Sequence, residues 1–288
     1  MKINKKFSLI LFGILISSLS VLSFAQTPTL LKRTDYKTEK IEFGVGGTVS
    51  VVGAPKGSIT IEGWQKNEVE ITAEITNEAA TEADLALLSK VNGFVLEDTF
   101  NNVRIRSVGT NDKNFVKKIL KKFPKHLLEM PFRIDYKIKV PFYTDLIING
   151  GNGDFNVSNV EGNFGVNLVE SNARFNLVGG VLDATVGKGT VNIAIPTRSW
   201  RGRGTVVQLA SGTMNVFLPL NFNANLDAEV LRTGKIENGY NFLKPRDRTK
   251  FTEKQMTAKA GNGGVFLKFT VGDGSLNLAE FKTEKAQN

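Results

Sequence analysis

The stretch GNGDFNVSNVEGNFGVNLVESNARFNLVGG, residues 151–180, contains an apolar–Asn–apolar triplet three times. Further copies follow, and the full set is Phe155-Asn156-Val157, Val166-Asn167-Leu168, Phe175-Asn176-Leu177, Val191-Asn192-Ile193, Met214-Asn215-Val216 and Leu276-Asn277-Leu278. Because side chains alternate along a β-strand, the apolar members of each triplet should point inward and the Asn outward. Asn is a poor strand former, so its return at this position indicates stacked strands whose Asn side chains hydrogen-bond from rung to rung.

Turn-forming residues recur at short intervals along the C-terminal half. From residue 146 onward, Gly, Asn, Asp and Ser separate short apolar groups at intervals of about 8 to 12 residues. Self-similarity at roughly 20 residues, with two strands in each period, is typical of a coiling β-sheet. Such short strands bury a continuous core only when they stack. The sequence therefore predicts a mainly β protein, a β-solenoid or β-roll of short stacked strands joined by Gly, Asn and Asp turns.

The N-terminal half adds strands and two short helices. Alternating apolar positions predict strands around Val49–Val51, Ile59–Ile61, Val69–Ile75 and Ile134–Val140. The segment TEADLALLSKV, residues 81–91, breaks this alternation and predicts a helix. Thr81 can cap it, and Leu85, Leu88 and Val91 share one face.

The segment DKNFVKKILKKF, residues 112–123, is the second helical candidate and stops at Pro124. On a helix its two classes of residue fall on opposite sides: Phe115, Val116, Ile119, Leu120 and Phe123 on one, and Lys113, Lys117, Lys118, Lys121 and Lys122 on the other. Two interpretations remain open. The helix packs its apolar side on the β-core and solvates its lysines, or its lysines contact anionic lipid or acidic glycan.

The N-terminus has the pattern of a signal peptide. Three lysines precede a largely apolar run, and Ser23 and Ala25 place small residues at positions −3 and −1 of a cut before Gln26. We therefore expect an exported protein, whether periplasmic, secreted or on the cell surface. The chain contains no cysteine, which excludes a lipid-modified Cys anchor and disulfides. No further segment is apolar for long enough to span a membrane.

The expected organisation follows from these segments. A polar lead at 26–40 precedes one β domain at 41–282, with a helical excursion at about 110–130 and a polar tail at 283–288. Removal of Lys2, Lys5 and Lys6 lowers the formal net charge from +9 to +6. This basic balance favours anionic partners. We expect an envelope glycan, a lipid surface or another envelope protein rather than nucleic acid, because the chain is exported.

Several segments resemble the bacterial putative-adhesin domain family, a domain of unknown function. They include GSITIEGWQKNEVEITAEI, the IKVP strand, DLIINGGNGDFNV, TVVQLASGTMNVFLP, LDAEVLRTGKIEN and AGNGGVFLKFTVGDGSLNLAE, and the resemblance covers most of residues 41–280. It implies an exported, all-β, solenoid-like protein with no established reaction and no catalytic residues to transfer. The basic excursion at 112–123 departs from the family's pattern, so we expect any partner of that segment to be particular to this protein and not shared with the family.

The residue inventory restricts catalytic chemistry. His126 is the only histidine, which excludes His-based metal clusters, Ser-His-Asp triads and Cys-His pairs within one chain. Carboxylates remain, since paired acids can cleave glycosidic bonds, and the candidates are Asp154, Glu161, Glu170, Asp183 and Asp273. Asp154 and Asp273 also suit Gly-rich turns. Trp64 and Trp200 could stack on sugars or pack at strand ends.

The sequence thus favours a non-enzymatic, adhesin-like binding or structural module without a cofactor or a metal. Two alternatives stay open. One is a carbohydrate-active β-helix enzyme that uses paired carboxylates, and the other is a membrane-surface protein that docks through Lys113, Lys117, Lys118, Lys121 and Lys122. A groove where two or three carboxylates converge would favour the enzyme.

Overall fold

The computed structural model describes residues 30–99, 101–195 and 202–281. The predicted signal peptide with its Ala25–Gln26 site, Trp200 and the polar tail lie outside these residues. Within them, the protein is mainly β, as predicted. The strands are β1 (Leu31–Glu42), β2 (Thr48–Lys56), β3 (Ile59–Trp64), β4 (Glu68–Ala79), β5 (Gly93–Thr99), β6 (Asn102–Val108), β7 (Phe132–Pro141), β8 (Asp145–Asn152), β9 (Phe155–Ser158), β10 (Glu161–Asn176), β11 (Gly179–Ala194), β12 (Gly204–Leu218), β13 (Ala224–Val230), β14 (Ile236–Asn238), β15 (Leu243–Pro245), β16 (Gln255–Ala260) and β17 (Val265–Glu280).

Four long strands, β10, β11, β12 and β17, bend near their middle and pair in parallel on both sides of the bend. Their first halves form one ladder with β2, β8 and β13. Their second halves form a second ladder with β3, β9 and β14. Leu146, Phe164 and Leu182 stand opposite one another, so these consecutive rungs repeat every 18 residues.

Glycine occupies most of the bends because neighbouring rungs approach closely there. Ser171, Gly189, Gly212 and Gly274 align as a bend column. The backbone φ is +135° at Gly212, a conformation that strains residues with a side chain. A Cβ atom on Gly212 would also collide with the carbonyl oxygen of Gly189. The bend thus selects glycine for both conformation and space.

The strand order departs from a simple coil, and the predicted solenoid is not confirmed. A solenoid adds its rungs in chain order, but β17, the last strand, lies between β12 and β13. Antiparallel pairs also extend the network at both ends, where β4 joins β1 and β7, β5 joins β6, and β16 joins β13 and β15. Parallel stacked rungs are present, but they form only the middle of the molecule.

The apolar members of the triplets form the core, as predicted. Each side chain retains no more than 3% of its accessible surface in the set Phe155, Val157, Phe175, Leu177, Val191 and Ile193. The triplets do not all align, however. Asn192, Asn215 and Asn277 share one column, whereas Asn176 is shifted by two positions and faces Ser158 and Ala194. Asn167 belongs to the other ladder.

Both predicted helices exist, but the second is shorter than expected. Helix α1 (Glu82–Val91) is capped by Thr81 and buries Leu85, Leu88 and Val91. Helix α2 (Lys113–Ile119) is capped by Asp112 and ends four residues before Phe123. Proline disfavours helical backbone in the residue before it, and Phe123 packs instead near Leu127 and α1. A short 3₁₀ helix (Lys125–Leu127) follows.

Candidate binding surface

The outward side chains of the second ladder form a continuous polar surface, which we call the polar face. It comprises Asp154, Asn156, Asn172, Arg174, Thr190, Asn192, Thr213, Asn215, Ser275 and Asn277. Three rungs follow one pattern, in which a hydroxyl residue precedes the outward Asn by two positions. Because alternate residues share a face, these hydroxyls form a second column beside the Asn column. This hydroxyl-x-Asn spacing is visible in the sequence, but the apolar–Asn–apolar triplets do not include the hydroxyl position.

The Asn column is bonded within itself, as predicted for a ladder. The Asn215 amide donates to Oδ1 of Asn192 at 2.9 Å, and the Asn277 amide donates to Oδ1 of Asn215 at 2.8 Å. The adjacent hydroxyls differ. Within the described residues, the side chains of Thr190, Thr213 and Ser275 make no hydrogen bond. They are half-buried, but their hydroxyl oxygens are not enclosed, so they remain available to a ligand.

Arg174 is the cation of the polar face. It stands opposite Asn156 on one side and Asn192 on the other. These residues line a hollow of about 280 Å³ together with Asp154, Asn172 and Thr190. Asn172 donates to Asp154 at 3.2 Å, whereas Arg174 forms no ion pair with any described carboxylate. The hollow therefore offers an unpaired guanidinium, amides and a hydroxyl on one exposed surface.

The five carboxylates that the sequence singled out are spread over the rungs. Asp154 lies on the polar face, Glu161 begins β10, and Asp183 points outward from the first ladder. Glu170 lies at a bend, where Lys188 approaches it at 3.7 Å. Asp273 accepts hydrogen bonds from Arg232 and from both donors of Thr233, and these hold its pKa at about 2. Asp273 thus stabilises the turn that contains Arg232 and Thr233.

A different group of carboxylates, which sequence reasoning missed, lines a groove of about 800 Å³. Glu42 and Glu68 stand directly opposite each other where β1 pairs with β4, and Asp98 of β5 lines the same groove. Lys66 approaches Glu68 at 3.5 Å. Like charges in directly opposed positions are unfavourable in a sheet. The pairing of β1 with β4 joins residues far apart in sequence, so local patterns could not have indicated this groove.

Two other residues that the sequence singled out, Trp64 and His126, contact neighbouring side chains of the protein. The Trp64 indole donates to the carbonyl of Glu68 at 2.9 Å, and the ammonium groups of Lys66 and Lys139 lie 4.7 and 5.2 Å from its ring centre. These lysines occupy the surface on which a sugar would stack. Nε2 of His126 is 3.4 Å from the Asp84 carboxylate. In the described part of the chain, no group of His, Asp and Glu side chains could hold a metal ion.

The predicted lysines lie on a segment between β6 and β7, residues 111–130, which we call the basic segment. Lys113 pairs with Glu129 at 2.9 Å. Lys117, Lys118, Lys121 and Lys122 are exposed, and the described residues provide no carboxylate partner for them. Val116 is the only buried residue of α2, and Ile119 retains 48% of its accessible surface. The expected packing of a full apolar helix face is therefore only partly realised.

No protein-family model and no curated protein matches the chain. A solved structure of a putative cell adhesion protein from Clostridium sporogenes is similar, with 15% identity, a TM-score of 0.49, and coverage of 86% of this chain and 100% of that one. A putative adhesin from Bacteroides fragilis is similar with 10% identity, a TM-score of 0.30, and coverage of 85% and 97%. Both descriptions refer to adhesion, as does the name of the putative-adhesin family that the sequence resembles. At these identities and scores, neither similarity assigns a function to this chain.

No helix of the described residues is long and apolar enough to cross a bilayer.

Proposed function

We propose that the chain is an exported, non-enzymatic binding module whose polar face holds an extended acidic glycan of the cell envelope. In this proposal residues 41–282 form a single β domain, which β1 extends at its N-terminal end to Leu31. The stacked rungs act as a solenoid-like platform. The observation that carries the proposal is the column of unpartnered hydroxyls beside Arg174. These groups lie on successive rungs, so a polymer that crosses the rungs can contact them together.

The spacing of the rungs suits a polymer. Neighbouring strands lie about 4.8 Å apart, so a chain that crosses the rungs meets a new hydroxyl and amide at each step. Sugar hydroxyls can both donate to and accept from Thr, Ser and Asn side chains. The guanidinium of Arg174 matches a carboxylate through two parallel N–H donors, which favours a uronic acid over a neutral sugar. Each contact is weak, and binding gains strength from repetition.

The test measures co-sedimentation of the protein with insoluble polygalacturonate and with cellulose. We expect binding to polygalacturonate, weaker binding to cellulose, and a loss of roughly tenfold in affinity in Arg174→Gln, because a charge-assisted pair is worth about 1.5–3 kcal/mol. The double variant Thr190→Val/Thr213→Val should also lose affinity. The matched control is Thr185→Val, which removes an exposed hydroxyl from the first ladder. Equal losses in the control, or no binding to either polymer, would contradict the proposal.

The groove at β1, β4 and β5 supports a second candidate function, glycoside cleavage. Opposed residues of an antiparallel pair have Cβ atoms about 4.5–5.5 Å apart, and retaining glycosidases hold their two carboxyl groups about 5–5.5 Å apart. Glu42 and Glu68 form one such opposed pair and line the same groove, which places two carboxylates beside each other on one surface. Release of reducing ends from polygalacturonate that is lost in both Glu42→Gln and Glu68→Gln, but kept in Glu161→Gln, would favour this function. Binding without release favours the module.

A further inference from the structure

The net charge of the protein is concentrated in the basic segment. Residues 111–130 contain six lysines and two carboxylates, which gives a net charge of +4. The whole chain from Gln26 onward carries +6, so the remaining residues are close to neutral. A local charge of this kind attracts an anionic surface, and the attraction weakens as salt increases.

The carboxylates near this segment already have other partners. Asp112 caps α2 through a bond from the Phe115 amide at 2.9 Å and lies 3.5 Å from Arg106. Glu129 pairs with Lys113. Two carboxylates of α1 also have partners, since Asp84 lies beside His126 and Glu82 pairs with Arg33. The local acids therefore leave Lys117, Lys118, Lys121 and Lys122 without neutralising partners among the described residues. Their charges face solvent.

Apolar side chains lie among these exposed lysines. Ile119 is 48% exposed, and Leu120 and Phe123 are half-buried. Val116 anchors the segment on one side, while Phe123 packs with the small cluster of Leu85, Leu88 and Leu127 on the other. The segment is thus held against the fold and still presents aliphatic surface in the middle of its lysines. Exposed aliphatic side chains add little to the binding of an acidic polysaccharide. They can, however, enter the apolar part of a lipid surface.

We propose that the basic segment docks on an anionic phospholipid surface. The four unpaired lysines contact the phosphate groups, and the Ile119 side chain enters the boundary between the headgroups and the acyl chains. Helix α2 has only seven residues, so this contact is peripheral and reversible. The docking surface shares no residue with the polar face.

The experiment measures sedimentation of the full exported protein with phosphatidylcholine vesicles, with and without phosphatidylglycerol, at low and moderate salt. We expect binding only to vesicles that contain phosphatidylglycerol, and weaker binding at the higher salt. The variant Lys117/Lys118/Lys121/Lys122→Gln should lose affinity on the order of 100-fold, since each lysine near an anionic membrane contributes to binding. The matched control changes four other exposed lysines, Lys244, Lys250, Lys259 and Lys268, to Gln and should keep its binding.

A second variant, Ile119→Ser, separates lipid from acidic glycan. It should weaken vesicle binding several-fold and leave binding to soluble heparin unchanged. Absence of vesicle binding, equal losses in the two four-lysine variants, or binding to heparin without binding to vesicles would each overturn the proposal. Far-UV circular dichroism and thermal melting establish that every variant is folded. Arg174→Gln should leave vesicle binding intact, so failure of the glycan proposal and failure of this one are distinguishable.

Discussion

Thr205 places a hydroxyl inside the apolar core, between Leu182 and Leu267 of the neighbouring rungs. The residue is fully buried, and its Oγ1 has no hydrogen-bond partner in the described structure. A buried polar group without a partner retains its desolvation penalty. We therefore expect Thr205→Val, which keeps the shape and removes the hydroxyl, to raise the free energy of unfolding by about 1 kcal/mol. Denaturant unfolding measures the change.

The matched control for Thr205 is Thr213→Val. It makes the same chemical change on the half-exposed polar face and should alter stability by less than about 0.5 kcal/mol. A loss of stability in Thr205→Val would contradict the interpretation, because it would mean that the hydroxyl is satisfied in solution.

Asp135 joins β7 to β3 and makes stability depend on pH. Partial burial raises the pKa of its carboxyl, but the donors of Arg133 and Ser58 outweigh this effect and hold the pKa at about 2. The Ser58 amide and hydroxyl donate at 2.8 and 2.6 Å, and Arg133 donates to both carboxylate oxygens at 2.6 and 2.8 Å. The folded pKa lies below the unfolded value, so the carboxylate stabilises the fold fully near neutral pH. That contribution is lost as pH falls from about 4 to about 2.

We therefore expect Asp135→Asn to be less stable than the parent protein by about 1–2 kcal/mol at pH 7, with a difference that shrinks toward pH 2. Thermal unfolding at several pH values measures it. The comparison between the two proteins isolates Asp135, because Asp273 titrates in both. A difference that stays constant across this range would assign the effect of the substitution to lost packing rather than to charge.

Among the structural elements, the bends of the long strands allow a comparison within one column. Gly212→Ala introduces a Cβ atom against the Gly189 carbonyl at a φ of +135°, so we expect a loss of roughly 2 kcal/mol or more. Ser171 occupies the same column and already carries a side chain, and its buried Oγ has no partner. Ser171→Ala should therefore be neutral or slightly stabilising. Equal losses in both variants would mean that the column responds to any change in composition rather than to backbone strain.

The limits of the helices show which element boundaries the sequence could predict. Thr81 caps α1 as the local sequence indicated, since a cap depends on residues within one turn, whereas the cap of α2 at Asp112 was not predicted. The end of α2 was predicted wrongly because the apolar period continues to Phe123. Tertiary packing and Pro124 stop the helix at Ile119, and periodicity contains neither effect. The unpaired lysines were visible in the sequence, but the exposed Ile119 was not.

Across the whole molecule, the sequence predicted which side chains are inside but not which rungs are neighbours. Alternation placed Phe155 and Val191 in the core, because inward and outward positions depend on adjacent residues. The two-residue shift of Asn176 and the insertion of β17 between β12 and β13 depend on pairing over long distances in the chain. The polar face could not be predicted for the same reason. Only the register of β10 places Arg174 in line with the Asn column.

Export is the prediction about the whole chain on which both binding proposals depend. Lysines at the start, an apolar run and small residues at Ser23 and Ala25 fit cleavage before Gln26. We expect mass spectrometry of the exported protein to give an N-terminal peptide that begins at Gln26. Ala25→Phe should block processing, because the position before the cut requires a small residue. Leu30→Phe, which lies beyond the site, should be processed normally. Retention of Met1 in a membrane fraction of the parent protein would contradict the cleavage and would make the first segment a permanent anchor.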